Sequence, residues 1–465
     1  MSSANSEAPR LSRSLPGMPP AAPVRIVHVG LGNFHRAHQA YYTCHAADAA
    51  QWGIASFCGR HRDQADALAP QDGLYTLIVQ GADGNRPEVI GAISEARGAE
   101  EIDRWLELLS SPEVVILTST VTEKGYAVAK GALDLSDELV VRDLATLRAG
   151  STGPLETYAG KVVAGLQARR AAGVGGLTVL PCDNLSNNGG VARAAIRGFA
   201  EAYDPDLLAW IDEVVVFASS MVDRITPATT DENRAQVLAE SGYVDAWPVP
   251  TEPFIEWVIE GEFPHGRPDW ESSGATVITE GLEVFETRKL WLLNGSHSMM
   301  AYAGPIRGRE TVAEAIADPV IRGWVETFWD EAGRHLALPP ADIAAYRSAL
   351  LERFANPNIR HLLAQIAHDG SIKLAQRTVP VAKAERAEGK LPLGCATTLA
   401  AWVLHLRGTG APVVDAHAEA ALQAAATTDD TAAVRGVLAT LDADLAADDE
   451  FVAAVVGRLA VVAGS

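Results

Sequence analysis

Val24-Arg25-Ile26-Val27-His28-Val29-Gly30-Leu31-Gly32 decides how the first half of the chain is read. The run 24–29 is short and mostly apolar, which reads as a buried strand. Two glycines follow it at once, and an alanine-rich helical stretch runs from about Phe34 to Ala49. Glycines at a strand-to-helix turn let the backbone approach a pyrophosphate. The helix start then offers free N–H groups and a partial positive charge. The third glycine of the usual fingerprint is absent, since position 35 is His35. GxG alone also fits a plain glycine turn; its place between strand and helix favours a nucleotide.

Outward from this turn, strand candidates recur at Ile54–Cys58, Tyr75–Val79, Glu88–Ile93, Val114–Thr118, Leu177–Leu180 and Val214–Phe217. Helical segments such as Leu155–Ala171 and Gly190–Ala202 lie between them. Alternation of this kind over residues 24–280 predicts an α/β domain, a parallel sheet with helices on both faces. From about residue 281 to 465 the strand-like runs disappear. Helical spacing dominates Glu310–His335, Ala341–Phe354, Cys395–Leu406 and Phe451–Val462, so the second domain is expected to be all-helical. Residues 1–23 are polar and proline-rich, and are expected to form a disordered tail without a signal peptide.

The chain is 48% hydrophobic and 21% charged with a net charge of −21, spread along its length. That balance suits a soluble cytoplasmic enzyme, a monomer or small homo-oligomer, and argues against a nucleic-acid partner. No apolar run approaches the roughly 20 residues of a membrane span. Cys44, Cys58, Cys182 and Cys395 are scattered, which argues against a disulfide framework or structural zinc. His35 and His38 have metal-ligand spacing but no acidic or cysteine partner nearby, so no metal is expected.

Lys289-Leu290-Trp291-Leu292-Leu293-Asn294-Gly295-Ser296-His297 carries the chemistry. At about 100° per residue, Asn294 falls about 140° and His297 about 80° from Lys289, on one broad polar face of an apolar helix. Such a face is expensive to bury unless the groups are used or satisfied by one another. A lysine whose burial leaves it neutral can take a proton from a carbinol oxygen as hydride leaves. Asparagine amides can hold the developing alkoxide. Glu286, one turn earlier, would pass the proton to solvent or merely pair with Lys289. Gly295 would let something approach the backbone. A second polar cluster, Cys182 to Gly189, follows the strand ending at Leu180, so Asn184 could meet Lys289 across a domain crevice. Asp223 leaves another strand and could accept substrate hydroxyl bonds or pair with Arg224.

The end of the second strand bears on the cofactor. NAD-specific sites usually place a carboxylate there for the ribose hydroxyls, whereas an arginine pairs with a 2′-phosphate. This chain has Gly59-Arg60-His61-Arg62-Asp63. Arg60 therefore points to acceptance of NADP(H) alongside NAD(H), with Asp63 holding the ribose as the other reading.

Together, HVGLGNFHRAHQAYY (28–42), QDGLYTL (71–77), TVTEKGY (120–126), CDNLSNNG (182–189), MVDRITP (221–227), KLWLLNGSH (289–297) and DGSIK (369–373) resemble the long-chain mannitol dehydrogenase family of polyol-specific dehydrogenases. The resemblance implies a Rossmann-type N-terminal domain, a helical C-terminal domain and no metal. It implies Lys289 as general base, Asn184 and Asn294 at the reacting oxygen, and His297, Asp223 and Lys373 orienting substrate hydroxyls. Gly30, Gly32, Phe34, Arg36, Arg60 and Glu123 are the expected cofactor contacts. Mannitol dehydrogenases similar to this chain carry an arginine where it has Gln365, and acidic residues just after the second strand. The expected reaction joins a mannitol-like alcohol and a fructose-like ketose. A fructuronate- or tagaturonate-type hexuronate reductase is the rival, with Arg360, His361, His368 and Lys373 as cations. A nucleotide-sensing protein is the non-enzymatic alternative.

Overall fold

The computed structural model describes residues 8–464. The chain divides into two compact units after Glu283, three residues beyond the expected boundary. In the first unit, six strands form one parallel sheet: β1 (Val24–Val29), β2 (Gly53–Phe57), β5 (Ile93–Arg97), β6 (Ile116–Ser119), β9 (Thr178–Pro181) and β10 (Val216–Phe217). Their order, β10-β9-β6-β1-β2-β5, is the doubly wound 3-2-1-4-5-6 order read from the far edge. The chain reverses its direction of travel at β1, between β2 and β6. Side chains alternate across the sheet as a period of two requires. Val27, Val29, Ala55 and Phe57 face a core shared with helices Tyr158–Ala171 and Asn188–Tyr203. Ile26, Ile54 and Cys58 face the opposite core.

Helices lie on that opposite face too, as expected, but strands share it with them. It is covered by helix Gln39–His45 and by strands outside the main sheet, through Tyr42, Tyr75, Trp257 and Ile259. Tyr75–Val79 and the start of Glu88–Ile93 belong to an antiparallel hairpin, β3 (Tyr75–Gly81) and β4 (Gly84–Ile90). A two-residue turn at Ala82-Asp83 closes it, and β12 (Val249–Thr251) adds to β3. Pro87 lies on β4, which no second strand flanks, so its missing donor breaks no ladder. A further sheet joins β11 (Ser219–Asp223), β13 (Glu256–Glu260) and β14 (Thr276–Ile278). The two-residue strands β7 (Val128–Ala129) and β8 (Ala132–Leu133) make a small hairpin.

The tail expectation also needs correction for residues 8–23; residues 1–7 lie outside the described ones. Leu11 is fully buried against Leu74, Ile78, Val237 and Tyr243. The Arg13 guanidinium donates to the carbonyls of Pro19, Gly91 and Ile93.

The second unit is helical, with one isolated bridge between Thr311 and Leu362. Helices Gly295–Ile306 and Leu393–Leu406 are buried almost all round and form its centre. Pro319–Gly333, Pro340–Phe354 and Asp449–Ala463 are further helices of this unit. Among the described residues, no helix is long and apolar enough to cross a membrane.

Candidate active site

In the first unit the carboxyl ends of β1, β2 and β6 open onto a cleft of about 270 Å³, with Gly30, Arg60, Thr120, Gly125, Tyr158 and Lys161 in its lining. This is the switch point, where doubly wound sheets bind ligands. Gly30 has φ of 110°, and a Cβ there would fall 2.3 Å from the carbonyl oxygen of Thr120. Only glycine fits, and the backbone is left bare toward the cleft. Beneath it His28 and His35 stack at 3.4 Å between ring centroids. His28 bonds Thr118 Oγ1 and Gly30 O, while His35 bonds Gln39 and Ser56. Burial lowers His28 to about 3 and His35 well below the usual histidine range, so both rings are neutral props. With both nitrogens of His35 committed, the His35/His38 pair is no metal site. Among the described residues no group of three or more His, Cys, Asp or Glu could hold an ion.

Three features near the turn differ from expectation. The helical stretch breaks at His38 into helices Asn33–Ala37 and Gln39–His45, so the helix behind the glycines is one short turn. Arg36 does not face the cleft. It is fully buried, and its guanidinium donates to Asn33 and to the carbonyls of Gly32 and Trp247. It braces the glycine turn from behind. Gly32 shapes the turn without lining the cleft, its N–H donating to Gly30 O at 2.6 Å.

Phe34, Glu123 and Asn184 do come together, lining a second hollow of about 320 Å³ with Thr120, Thr122 and Asp183. The asparagine-rich loop sorts its own side chains. Buried Asp183 accepts from the Tyr126 hydroxyl at 2.6 Å and from Leu185 N. Asn187 caps helix Asn188–Tyr203, and Asn188 exchanges two bonds with the Ser220 backbone. Asn184 is left exposed at the hollow. Asp223 ends β11 and is buried; Arg224 next to it turns to the carbonyls of Ala37 and Glu252.

In the second unit, Lys289–Asn294 is a π-helix between helices Leu282–Arg288 and Gly295–Ile306. An i→i+5 turn sets residues five apart nearly one above the other. Asn294 is thus closer to alignment with Lys289 than the α-helical angle of about 140° predicted. The widened turn is held from outside. The Leu292 carbonyl accepts from Trp329 Nε1 and the Ser296 hydroxyl, and the Asn294 carbonyl from Arg377 and Ser298. What approaches Gly295 is the Phe328 ring, 2.5 Å from where a Cβ would stand. The His297 ring, largely buried, lies 5.1 Å from both Phe354 and His361. Lys373 is half-buried and donates to the Ile366 carbonyl, and burial lowers its pKa. Gln365 is exposed. Glu286, Lys289, Asn294 and His297 therefore share one continuous helical run, with Lys373 and Arg377 on the helix Gly370–Arg377.

Sequence reading missed Lys161 and the Thr120–Thr122 rim. The signal for Lys161 was a single lysine inside the apolar run Tyr158–Gly165.

A sheet reversing at a glycine turn, followed by a helical unit, defines a two-domain protein whose first domain is of the Rossmann type. The model of the mannitol dehydrogenase Rossmann domain matches residues 24–272, and that of the mannitol dehydrogenase C-terminal domain matches 281–463. The chain belongs to the mannitol dehydrogenase family. It is 39% identical to D-mannonate oxidoreductase of Escherichia coli, over 83% of this chain and 80% of that protein. It is 38% identical to mannitol 2-dehydrogenase of Phaeosphaeria nodorum, over 82% and 69%. Substrate-free D-sorbitol dehydrogenase superimposes with a TM-score of 0.87 at 30% identity, covering 95% of this chain and 93% of that one. Pseudomonas fluorescens mannitol 2-dehydrogenase in complex with NAD and D-mannitol gives 0.77 at 34%, covering 95% and 94%. The chain is thus a polyol or sugar-acid dehydrogenase of this family.

Proposed function

We propose that the chain is a metal-independent, NAD(P)-dependent dehydrogenase interconverting a secondary alcohol of a polyol and the matching ketose, as a mannitol 2-dehydrogenase does. The observation that carries the reading is the π turn Lys289–Asn294, whose i→i+5 geometry favours placing the Lys289 amine and the Asn294 amide on one side of an otherwise apolar segment. The bare backbone at Gly30 fits a dinucleotide, which supplies the hydride acceptor when bound. Lys289 takes the hydroxyl proton as hydride leaves the carbinol carbon, and returns it when the ketone is reduced. Asn184 and Asn294 donate to the oxygen as its negative charge grows. His297, Asp223 and Lys373 orient the other hydroxyls, and Glu286 passes the proton on. Phe34 and Glu123 line the neighbouring hollow, which shares Thr120 and Thr122 with the cleft beside Gly30. Arg60 lines that cleft and Asp63 does not, which favours acceptance of NADP(H) alongside NAD(H). The four free thiols, three of them buried, suit the cytoplasm.

A second reading, reduction of a keto-uronate, is favoured by one arrangement. His361 lies against His297, Lys373 has only a carbonyl partner among its hydrogen bonds, and a D-mannonate oxidoreductase is among the relatives. The test is a screen of polyols, ketoses and keto-uronates with NADH and NADPH, on protein exhaustively treated with a chelator. Turnover of a polyol–ketose pair is expected. Turnover of keto-uronates alone selects the second reading, and activity that vanishes with a stoichiometric metal overturns the mechanism.

A further inference from the structure

The cleft beside Gly30 continues past Arg60 into a hollow of about 420 Å³ lined by Gly59, Arg60, Ala99, Glu100, Glu156 and Lys161, among others. Lys161 lines both compartments. It sits on the first turn of helix Tyr158–Ala171, 7% exposed, and its ammonium donates to one carbonyl, that of Ala99 at 3.2 Å. An ammonium has three donors, so two N–H groups remain for whatever enters the hollow. Burial pulls its pKa down, opposed by Asp143, Cys58 and Glu100; an anion beside it would stabilise the charged form.

The carboxylates nearby are engaged elsewhere. Glu100 is paired with Arg62, and Glu156 lies 3.2 Å from Arg142. Buried Asp143 accepts from the N–H groups of Glu156 and Thr157 and from the Thr157 hydroxyl. Arg60 and Lys161 are the cations left to the hollow, one at its rim and one at its floor. A pyrophosphate belongs at the glycine turn, whereas the residues just past β2 stand where the adenosine ribose falls.

We propose that Lys161 and Arg60 together form an anion subsite for the ribose 2′-phosphate of NADP(H). The inference rests on the reading of the cleft as a dinucleotide site. It makes Lys161 a specificity determinant, because a 2′-hydroxyl does not require a buried cation and a phosphate does.

The experiment is calorimetric titration of the full-length protein with 2′,5′-ADP and 5′-AMP, and with NADPH and NADH, for wild type, Lys161→Met, Lys161→Arg and Arg60→Ala. Wild type is expected to bind 2′,5′-ADP at least tenfold more tightly than 5′-AMP. Lys161→Met is expected to lose about tenfold or more for 2′,5′-ADP and NADPH, with 5′-AMP and NADH within twofold. Lys161→Arg should retain most of the preference, which keeps the test open if the methionine variant misfolds. Equal loss for both nucleotides in Lys161→Met, or a wild type without preference for 2′,5′-ADP, overturns the subsite but leaves the dinucleotide cleft standing. Wild type that binds none of the four overturns the cleft and the subsite with it.

Discussion

Asn184 and Asn188 are the same amino acid four residues apart, with different surroundings. Asn188 is fully buried and exchanges two hydrogen bonds with Ser220, whereas Asn184 is exposed at a hollow shared with Phe34 and Glu123. Asn188→Ala leaves two buried backbone groups unpaired, at about 1–3 kcal/mol each. It should therefore lower the melting midpoint by several degrees. Asn184→Ala should leave the midpoint unchanged and lower kcat by about 10–10³-fold with little change in KM, since a donor to a growing alkoxide acts in the transition state. Steady-state kinetics beside a thermal melt separates the two, and an equal loss in substrate affinity would make Asn184 a positioning group. Lys289→Ala should lower kcat by about 10²–10⁴-fold with the dissociation constant for coenzyme unchanged. Near-normal turnover at every pH would remove it as the base. Lys289 could be singled out in the sequence because a polar group in an apolar run declares itself by type, and Asn184 because it follows the end of a strand. Arg36 and Lys161 could not be told apart in that way. Arg36 is absorbed by a carbonyl 211 residues later, at Trp247, and Lys161 faces a cleft that exists only once the sheet has formed.

The π segment Lys289–Asn294 is an element that periodicity does not reveal, because its apolar spacing is that of an ordinary helix. What satisfies its widened carbonyls is partly distant, namely Trp329 at Leu292 and Arg377 at Asn294, with Ser296 of the same helix adding a local bond at Leu292. The turn is therefore expected to depend on those partners. Arg377 is mostly buried, and burial lowers its pKa to about 10, so its side chain is held where solvent helps it little. Arg377→Met removes the donor to the Asn294 carbonyl and frees the amide to shift. It should lower kcat about tenfold with KM within twofold, and Arg377→Lys should recover part of the loss. If KM rises and kcat stays, Arg377 touches substrate instead of holding the turn. Strands show the same division between local and distant causes. Five of the six strands of the parallel sheet were legible as apolar runs, whereas β5, β11, β13 and β14 are mixed in polarity and are made strands by their pairing.

At the scale of the whole molecule, the order of α/β unit and helical unit was readable because composition changes near residue 280 and each period persists over many elements. The fate of the first residues was not readable. Proline-rich polar sequence carries little local signal, and what fixes residues 8–23 comes from elsewhere in the first unit. Leu11 completes a small core with Leu74, Ile78, Val237 and Tyr243, and its N–H donates to the Val244 carbonyl. Arg13 joins this arm to β5 and to the turn before β3, through the carbonyls of Gly91 and Ile93 and through Asp72. A fully buried leucine contributes about 1.5–3 kcal/mol, and charge-assisted bonds from a half-buried arginine add to it. Deleting residues 1–7 and deleting residues 1–23 should therefore differ. The longer deletion is expected to melt several degrees below the shorter one, since each 1 kcal/mol moves the midpoint by about 2–4 °C in a domain of this size. Arg13→Ala should reproduce part of that drop in the otherwise intact chain. Coenzyme affinity should hold in all three, because the arm lies beside β3 and β5 and Gly30 is held by β1, β2 and β6. Equal midpoints for the two deletions would mean that the arm contributes nothing to stability, and that Leu74 and Ile78 are covered equally well without it.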